Sequence, residues 1–215
     1  MTSSVPSDSS ATGTLQIIDG SQTSEGTVGI LTKGSGESLV QLTTPNFTQT
    51  LIFANGQANQ VVGTTVSVLS LERTQTTQAA EFPLPLLLAI INNSDNSLVY
   101  VGLETSTGQS LNHVQSCDTY ASQSAMQPLA SFSTRDIWFD ASSGLPVRVS
   151  YLRRDAQGAV ASVAVDIFFS NYQAAQGVLY PMTIQESLNG TPWATLSIQS
   201  VSFNVGLTDA DFPIQ

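Results

Sequence analysis

Three residue types that carry much of protein chemistry are almost missing from this chain. Its 215 residues contain one cysteine (Cys117), one histidine (His113) and one lysine (Lys33). A single thiol excludes both an intramolecular disulfide and a cysteine-built zinc site. A serine triad would have to use His113, and no G-x-S-x-G elbow exists to present a nucleophile to it. His113 and Cys117 share one strand face but stand about 13 Å apart at the rise of an extended chain, too far to form a dyad. Neither Asp136 with Asp140 nor Asp209 with Asp211 reaches the ligand density of a calcium loop. No spacing singles out a carboxylate pair for hydrolysis. We therefore expect no catalytic residue, no metal and no cofactor.

Positive charge is equally scarce. Six basic residues face sixteen acidic ones, for a net charge of −10, and only Arg153 and Arg154 are adjacent. Such a surface repels phosphate backbones, which excludes nucleic acid. It also carries no polybasic patch for anionic lipid. The longest apolar run, Leu84 to Ile91, falls far short of the ~20 residues that cross a bilayer as a helix. The opening Met1-Thr-Ser-Ser-Val-Pro-Ser-Asp-Ser-Ser reads as a solvated tether, in the style of a chain freed from a signal or lipid anchor.

What the chain does have is apolar residues (41%) with few charges (10%), so its polar surface must come from Ser, Thr, Gln and Asn. That composition suits strands better than solvent-facing helices. Short alternating segments follow one another: 14–19, 26–32, 37–43, 47–54, 57–62 and 65–71, then 98–104, 110–117, 135–140, 145–153, 159–171, 178–188 and 193–205. Glycine or turn residues separate them, and Asn55-Gly56 and Asn189-Gly190 are strong hairpin signals. Tight turns imply antiparallel neighbours, because parallel pairing needs long crossovers. The clearest two-residue period is Ala161, Val163, Val165, Ile167 and Phe169. In the last strand the period slips between Ile198 and Val201, and one extra residue near Gln199-Ser200, a β-bulge, would reconcile the two phases. Between the two groups of strands, Phe82-Pro-Leu-Pro-Leu-Leu-Leu-Ala-Ile-Ile predicts a short helix over 86–92 that is apolar nearly all round and must be covered. Residues 118–134 read as a polar, mobile loop. The expected organisation is a tether over 1–11 and one mainly β domain over 12–215. That domain is a single curved antiparallel sheet of about eleven strands, an unclosed half-barrel with a short helix on its concave side.

The C-terminal third adds a resemblance. Arg135-Asp-Ile-Trp-Phe-Asp-Ala-Ser-Ser-Gly-Leu-Pro-Val-Arg-Val-Ser-Tyr resembles the "lWiD..tglPvrv" hairpin of LolA/LolB-like outer-membrane lipoprotein-sorting proteins. Phe169-Ser-Asn-Tyr, Gly177-Val-Leu-Tyr-Pro and Leu207-Thr-Asp-Ala-Asp-Phe-Pro resemble that family's "fsdY…gv.fP" and closing "l.d..F.lp". The resemblance implies an unclosed barrel with helices plugging an apolar cavity for acyl chains. It also implies a non-enzymatic, exported carrier of the periplasm or cell envelope.

On this reading the helix residues Leu84, Leu87, Leu88 and Ile91, with Phe53, Trp138 and Phe168 of the sheet, are the candidate contacts of an apolar ligand such as a lipid or lipoprotein acyl chain. The protein is expected to be a monomer. In the alternative reading the cavity is filled by its own side chains, and the domain is a surface or interaction module. The aromatics Trp138, Tyr151, Tyr172, Tyr180 and Trp193 are read as core or core rim rather than as a carbohydrate platform.

Overall fold

The computed structural model describes residues 5–77, 83–106, 108–154 and 162–214. Six strands come first: β1 (Asp8–Asp19), β2 (Gln22–Lys33), β3 (Glu37–Thr43), β4 (Thr48–Ala54), β5 (Gln57–Val62) and β6 (Thr65–Val68). Two helices follow, α1 (Leu71–Thr77) and α2 (Pro83–Asn92). Seven more strands complete the chain: β7 (Asn96–Ser106), β8 (Gln109–Asp118), β9 (Arg135–Asp140), β10 (Pro146–Arg153), β11 (Val163–Ala175), β12 (Val178–Leu188) and β13 (Thr191–Phe203).

All thirteen form one antiparallel sheet in the order β6-β5-β4-β3-β2-β1-β13-β12-β11-β10-β9-β8-β7. The first strand pairs with the last, so the first half of the chain meanders outward from the centre and the second half meanders back from the opposite edge to the centre. The two edges are β6 and β7, and the helical segment connects them. A link from one edge to the other has to pass over a face of the sheet, which is why the helices lie on a face. Asn55 and Gly56, with φ of 53° and 73°, and Asn189 and Gly190, with φ of 50° and 77°, make the two left-handed turns expected from their sequence.

Pairing sorts the side chains into two faces. The inner face carries Ala11, Leu15, Val28, Ile30, Val40, Ile137, Val149, Val165, Ile167, Phe169, Ile184, Leu196 and Ile198, and all of them are buried. Leu86 and Ile90 of α2 join this cluster. The expected bulge is present: Thr12 pairs with Ser200 and Gly13 with Ile198, so Gln199 is the extra residue that returns Val201 and Phe203 to the inner face. The sheet is strongly curved. Gln60 of β5 and Arg153 of β10 line the same cavity, yet eight strand positions separate them, roughly 38 Å if the sheet were flat.

Several expectations need correcting. The sheet has thirteen strands rather than about eleven. It begins at Asp8, so residues 8–11, expected in a tether, are part of β1, with Ser9 and Ala11 buried. Residues 118–134 contain a 3₁₀ helix, Ser124–Phe132, instead of a polar mobile loop. This segment is fastened to β8: the Asp118 N–H donates to Ser133 Oγ at 2.8 Å, and Ser133 Oγ donates to the Ala130 carbonyl at 2.8 Å. Helix α2 starts at Pro83, where proline suits a first turn that has no use for its missing N–H. Helix α1 was not anticipated. Part of the expected 159–171 strand, residues 159–161, lies outside the described residues.

Candidate functional site

On the inner face the two arms of the sheet leave a cavity of about 80 Å³. One wall is Val40, Leu42 and Leu51 of β3 and β4, and the other is Ile167, Ile184, Ala194 and Leu196 of β11, β12 and β13. The roof is Leu69 and Arg73, at the start of α1. Register fixes this arrangement. Val40 pairs with Leu51 and Ile30, and Ile184 pairs with Leu196 and Phe169, so apolar side chains recur across the strands on one face.

The polar lining gathers toward one end of the sheet, where Glu186 pairs with Ala194 and Gln49 with Leu42. There the cavity meets Gln49, Glu186 and, at the end of β10, Arg153, while Arg73 and Gln60 also line it. Trp193 is the extra residue of a second bulge, since Glu186 pairs with Ala194 and Ser187 with Pro192. A regular strand would have turned Trp193 to the opposite face.

Helix α1 is polar and has only seven residues, so it depends on its contacts. Its start is capped, with Ser70 Oγ accepting from the Arg73 N–H at 3.3 Å. At its far end the buried Arg135 donates from Nη2 to the Gln75 carbonyl at 2.8 Å, which satisfies an orphaned helix carbonyl with a cation. The buried Tyr120 hydroxyl donates to Gln75 Oε1, and burial pushes that phenol up to about 12. Through these anchors α1 packs on both β10 and β5, bridging the two arms.

Glu186 is the chemically distinctive group. Burial pushes its carboxyl up from 4.5 to about 7, and the nearby Arg153 only partly opposes this. The folded protein therefore holds a proton that the unfolded chain has released, so stability declines as pH rises from about 4.5 to about 7. Glu186→Gln is expected to raise stability by about 2 kcal/mol at roughly pH 8 and to change it little at roughly pH 4. Urea unfolding at the two pH values checks this, and an equal effect at both would refute it.

Among the described residues, none of the seven candidate ligand contacts lines this cavity. Phe53 is buried on the inner face but pairs with Ser38 and Ala58, further along the strands. Leu87 and Leu88 are half-buried on α2, and Ile91 is exposed. The side chain of Leu84 lies outside the described residues. Trp138 and Phe168 are on the outer face, because they alternate with the inner-facing Ile137, Ile167 and Phe169.

Those two aromatics belong to a cross-strand stack. His113 stacks on Trp138 with centroids 4.3 Å apart, and the Arg148 guanidinium sits 4.3 Å from the Trp138 centroid and 5.6 Å from that of Phe168. Glu104 accepts from Trp138 Nε1 at 2.9 Å and faces His113 Nδ1 at 2.7 Å, while Asp136 faces His113 Nε2 at 2.8 Å. The carboxylates occupy opposite edges of the imidazole, so these groups cannot converge on one ion. Among the described residues no other cluster could hold a metal. Arg148 is paired with Asp166 at 2.6 Å. This stack gives His113 a structural place in the sheet.

No family model and no curated protein matches the sequence. Solved structures do match in fold. A domain from Vibrio parahaemolyticus, named for outer membrane lipoprotein sorting, is 17% identical and superimposes with a TM-score of 0.62 over 95% of this chain and 88% of its own. A LolA superfamily protein from Nitrosomonas europaea is 12% identical, with a TM-score of 0.62 over 97% and 91%. A DUF1329 family protein from Desulfovibrio piger is 13% identical, with a TM-score of 0.60 over 97% and 90%. The chain has the LolA-like fold. The match runs through both meanders of the LolA-like sheet, well beyond the motif-bearing residues 135–213. No described helix is long and apolar enough to cross a membrane.

Proposed function

We propose that this protein is a non-enzymatic, extracytoplasmic carrier that holds an apolar ligand, such as lipid acyl chains, on the inner face of its curved sheet. The observation that carries this reading is the cavity between the two arms, lined by Val40, Leu42, Leu51, Ile167, Ile184 and Leu196. The shared fold with a LolA superfamily protein and with a domain named for lipoprotein sorting supports it. Each methylene moved from water into such a lining contributes ~0.8 kcal/mol, so even part of an acyl chain gives useful affinity.

Volume favours a second reading in the closed state. The cavity's 80 Å³ is well below the ~300–1,000 Å³ of pockets that enclose drug-sized ligands. A long chain therefore enters only if the roof at Leu69 and Arg73 swings away. If the roof never moves, the domain is a self-filled interaction module of the cell envelope.

Displacement of a fluorescent fatty acid from delipidated protein separates the two readings. Saturable binding, reduced at least ten-fold by Leu42→Trp with the melting temperature preserved, is expected of a carrier. Absence of saturable binding in the unmodified protein would sink the carrier reading.

A further inference from the structure

The two edges of the sheet are built differently. β6 has four residues, and so short an edge gives a foreign strand little to pair with. β7 has eleven, Asn96–Ser106, with no lysine, arginine or proline to guard it. It pairs with β8 on one side and, among the described residues, with no strand on the other. Leu98, Val99, Tyr100, Val101 and Leu103 are each more than half exposed. A bulge at Val101 bends the strand, but Asn96 to Tyr100 pair regularly with β8 before it. Tyr100 pairs with Val114, and Val114 with the inner-facing Ile137, so Leu98, Tyr100 and Leu103 lie on the inner face. β7 therefore presents an apolar row beside an open backbone ladder.

We infer that β7 is a docking edge for an extended, cationic segment of a partner protein, which adds to the sheet as a further strand. This is independent of the carrier reading. The outward N–H and C=O groups of an edge strand recur every second residue, and another extended backbone meets them in turn. Contact with Leu98, Tyr100 and Leu103 asks for apolar side chains at alternate positions of that segment. Charge decides between partners. The chain carries a net charge of −10, and no lysine or arginine occurs between Arg73 and Arg135. That interval includes the whole β7–β8 hairpin, with Asp95 and Asp118 at the start of β7 and Glu104 near its end. Glu104 accepts from Trp138 and faces His113, yet its side chain stays nearly half exposed. The cations that follow in the sheet, Arg135 on β9 and Arg148 on β10, are respectively buried and paired with Asp166. A second copy would bring the same charge and the same cation-free edge, so two such edges repel. A basic segment is drawn to this one.

The test uses the full chain and a dye-labelled nonapeptide of alternating valine and threonine with lysine at both ends, read by fluorescence anisotropy. It is expected to bind at least ten-fold more tightly than its glutamate-ended counterpart, and more weakly as salt is raised. A counterpart with proline at its centre, which cannot extend the ladder, should bind ten-fold or more weakly. Bound lysine peptide should slow amide exchange in β7 and leave β6 unchanged. Leu98→Ser combined with Leu103→Ser should lower the affinity ten-fold while preserving the thermal melt, because both side chains are exposed. Equal binding of the lysine and glutamate peptides, undiminished binding of the proline peptide, or protection elsewhere than β7 would overturn the inference. So would absence of lysine-peptide binding. Dimerisation of the protein alone in sedimentation, abolished by the double serine variant, would also overturn it and assign the edge to a second copy. Fatty-acid displacement reads the cavity instead, so the carrier reading stands or falls separately.

Discussion

Phe212→Ala is expected to destabilise the protein by about 3–5 kcal/mol, the cost of removing a fully buried aromatic ring. In a chain of this length that lowers the melting temperature by on the order of 10 °C. Phe212 is 2% exposed although only three residues follow it in the sequence, and it packs with Ile52 and Ala54 on the face opposite the cavity. Leu31, Leu39, Val61, Leu207 and Ile214 complete that cluster. The chain reaches it by a guided path. Asp8 accepts from the Val205 and Gly206 N–H groups at 2.6 and 3.3 Å, Lys33 pairs with Asp209, and a capping box joins Thr208 to Asp211. Asp209 is exposed, so Asp209→Ala should cost little, because solvent screens its ion pair. The contrast between the two variants, read by thermal melting, tests whether the final segment is held mainly by burial or by charge. Its function follows from its position. It stiffens from behind the β2–β5 arm, whose inner face forms one wall of the cavity, so Phe212→Ala should also weaken retention of any bound amphiphile.

Antiparallel pairing of successive strands and their two faces were legible in the sequence because the period of a strand is two and turn chemistry punctuates it, whereas the pairing of the first strand with the last was not. Val163, Val165, Ile167 and Phe169 were read as one face and occupy one face, and the slip between Ile198 and Val201 located its bulge. Helix α1 was missed for a physical reason: Leu71-Glu-Arg-Thr-Gln-Thr-Thr has no apolar period, and its stability comes from Ser70, Tyr120 and Arg135. Only Ser70, a good cap residue just before Leu71, hinted at its start. Phe168 and Trp138 were misplaced despite an available signal, since each is one residue out of phase with inner-facing neighbours. The cavity itself lay beyond reach. Val40 and Ile184, or Gln60 and Arg153, meet only because the sheet curves, and local patterning does not encode which distant strands a curve brings together.

The sharpest test of that curvature lies at Gly13. Gly13→Ala is expected to cost about 3 kcal/mol or more, whereas Gly29→Ala, on the neighbouring strand, should be neutral or slightly stabilising. At Gly13 an added Cβ would meet the Ser197 carbonyl oxygen at 2.2 Å and the Ile198 Cα at 2.8 Å, and both are backbone atoms that cannot rotate aside. At Gly29 it would meet nothing within 4 Å. Both residues are mid-strand without a left-handed φ, so they differ in close approach rather than in conformational need. The difference arises because Gly13 sits at the bulge, where β1 is pressed onto β13 as the sheet bends. The β1–β13 pair joins the two meanders, so a side chain there prises apart the seam on which both cavity walls depend. Urea unfolding of the two variants, with amide exchange across β1 and β13, measures the effect. A Gly13→Ala protein as stable as Gly29→Ala would mean that the seam yields readily, and that the bend is held by the helices on the inner face rather than by the bulge.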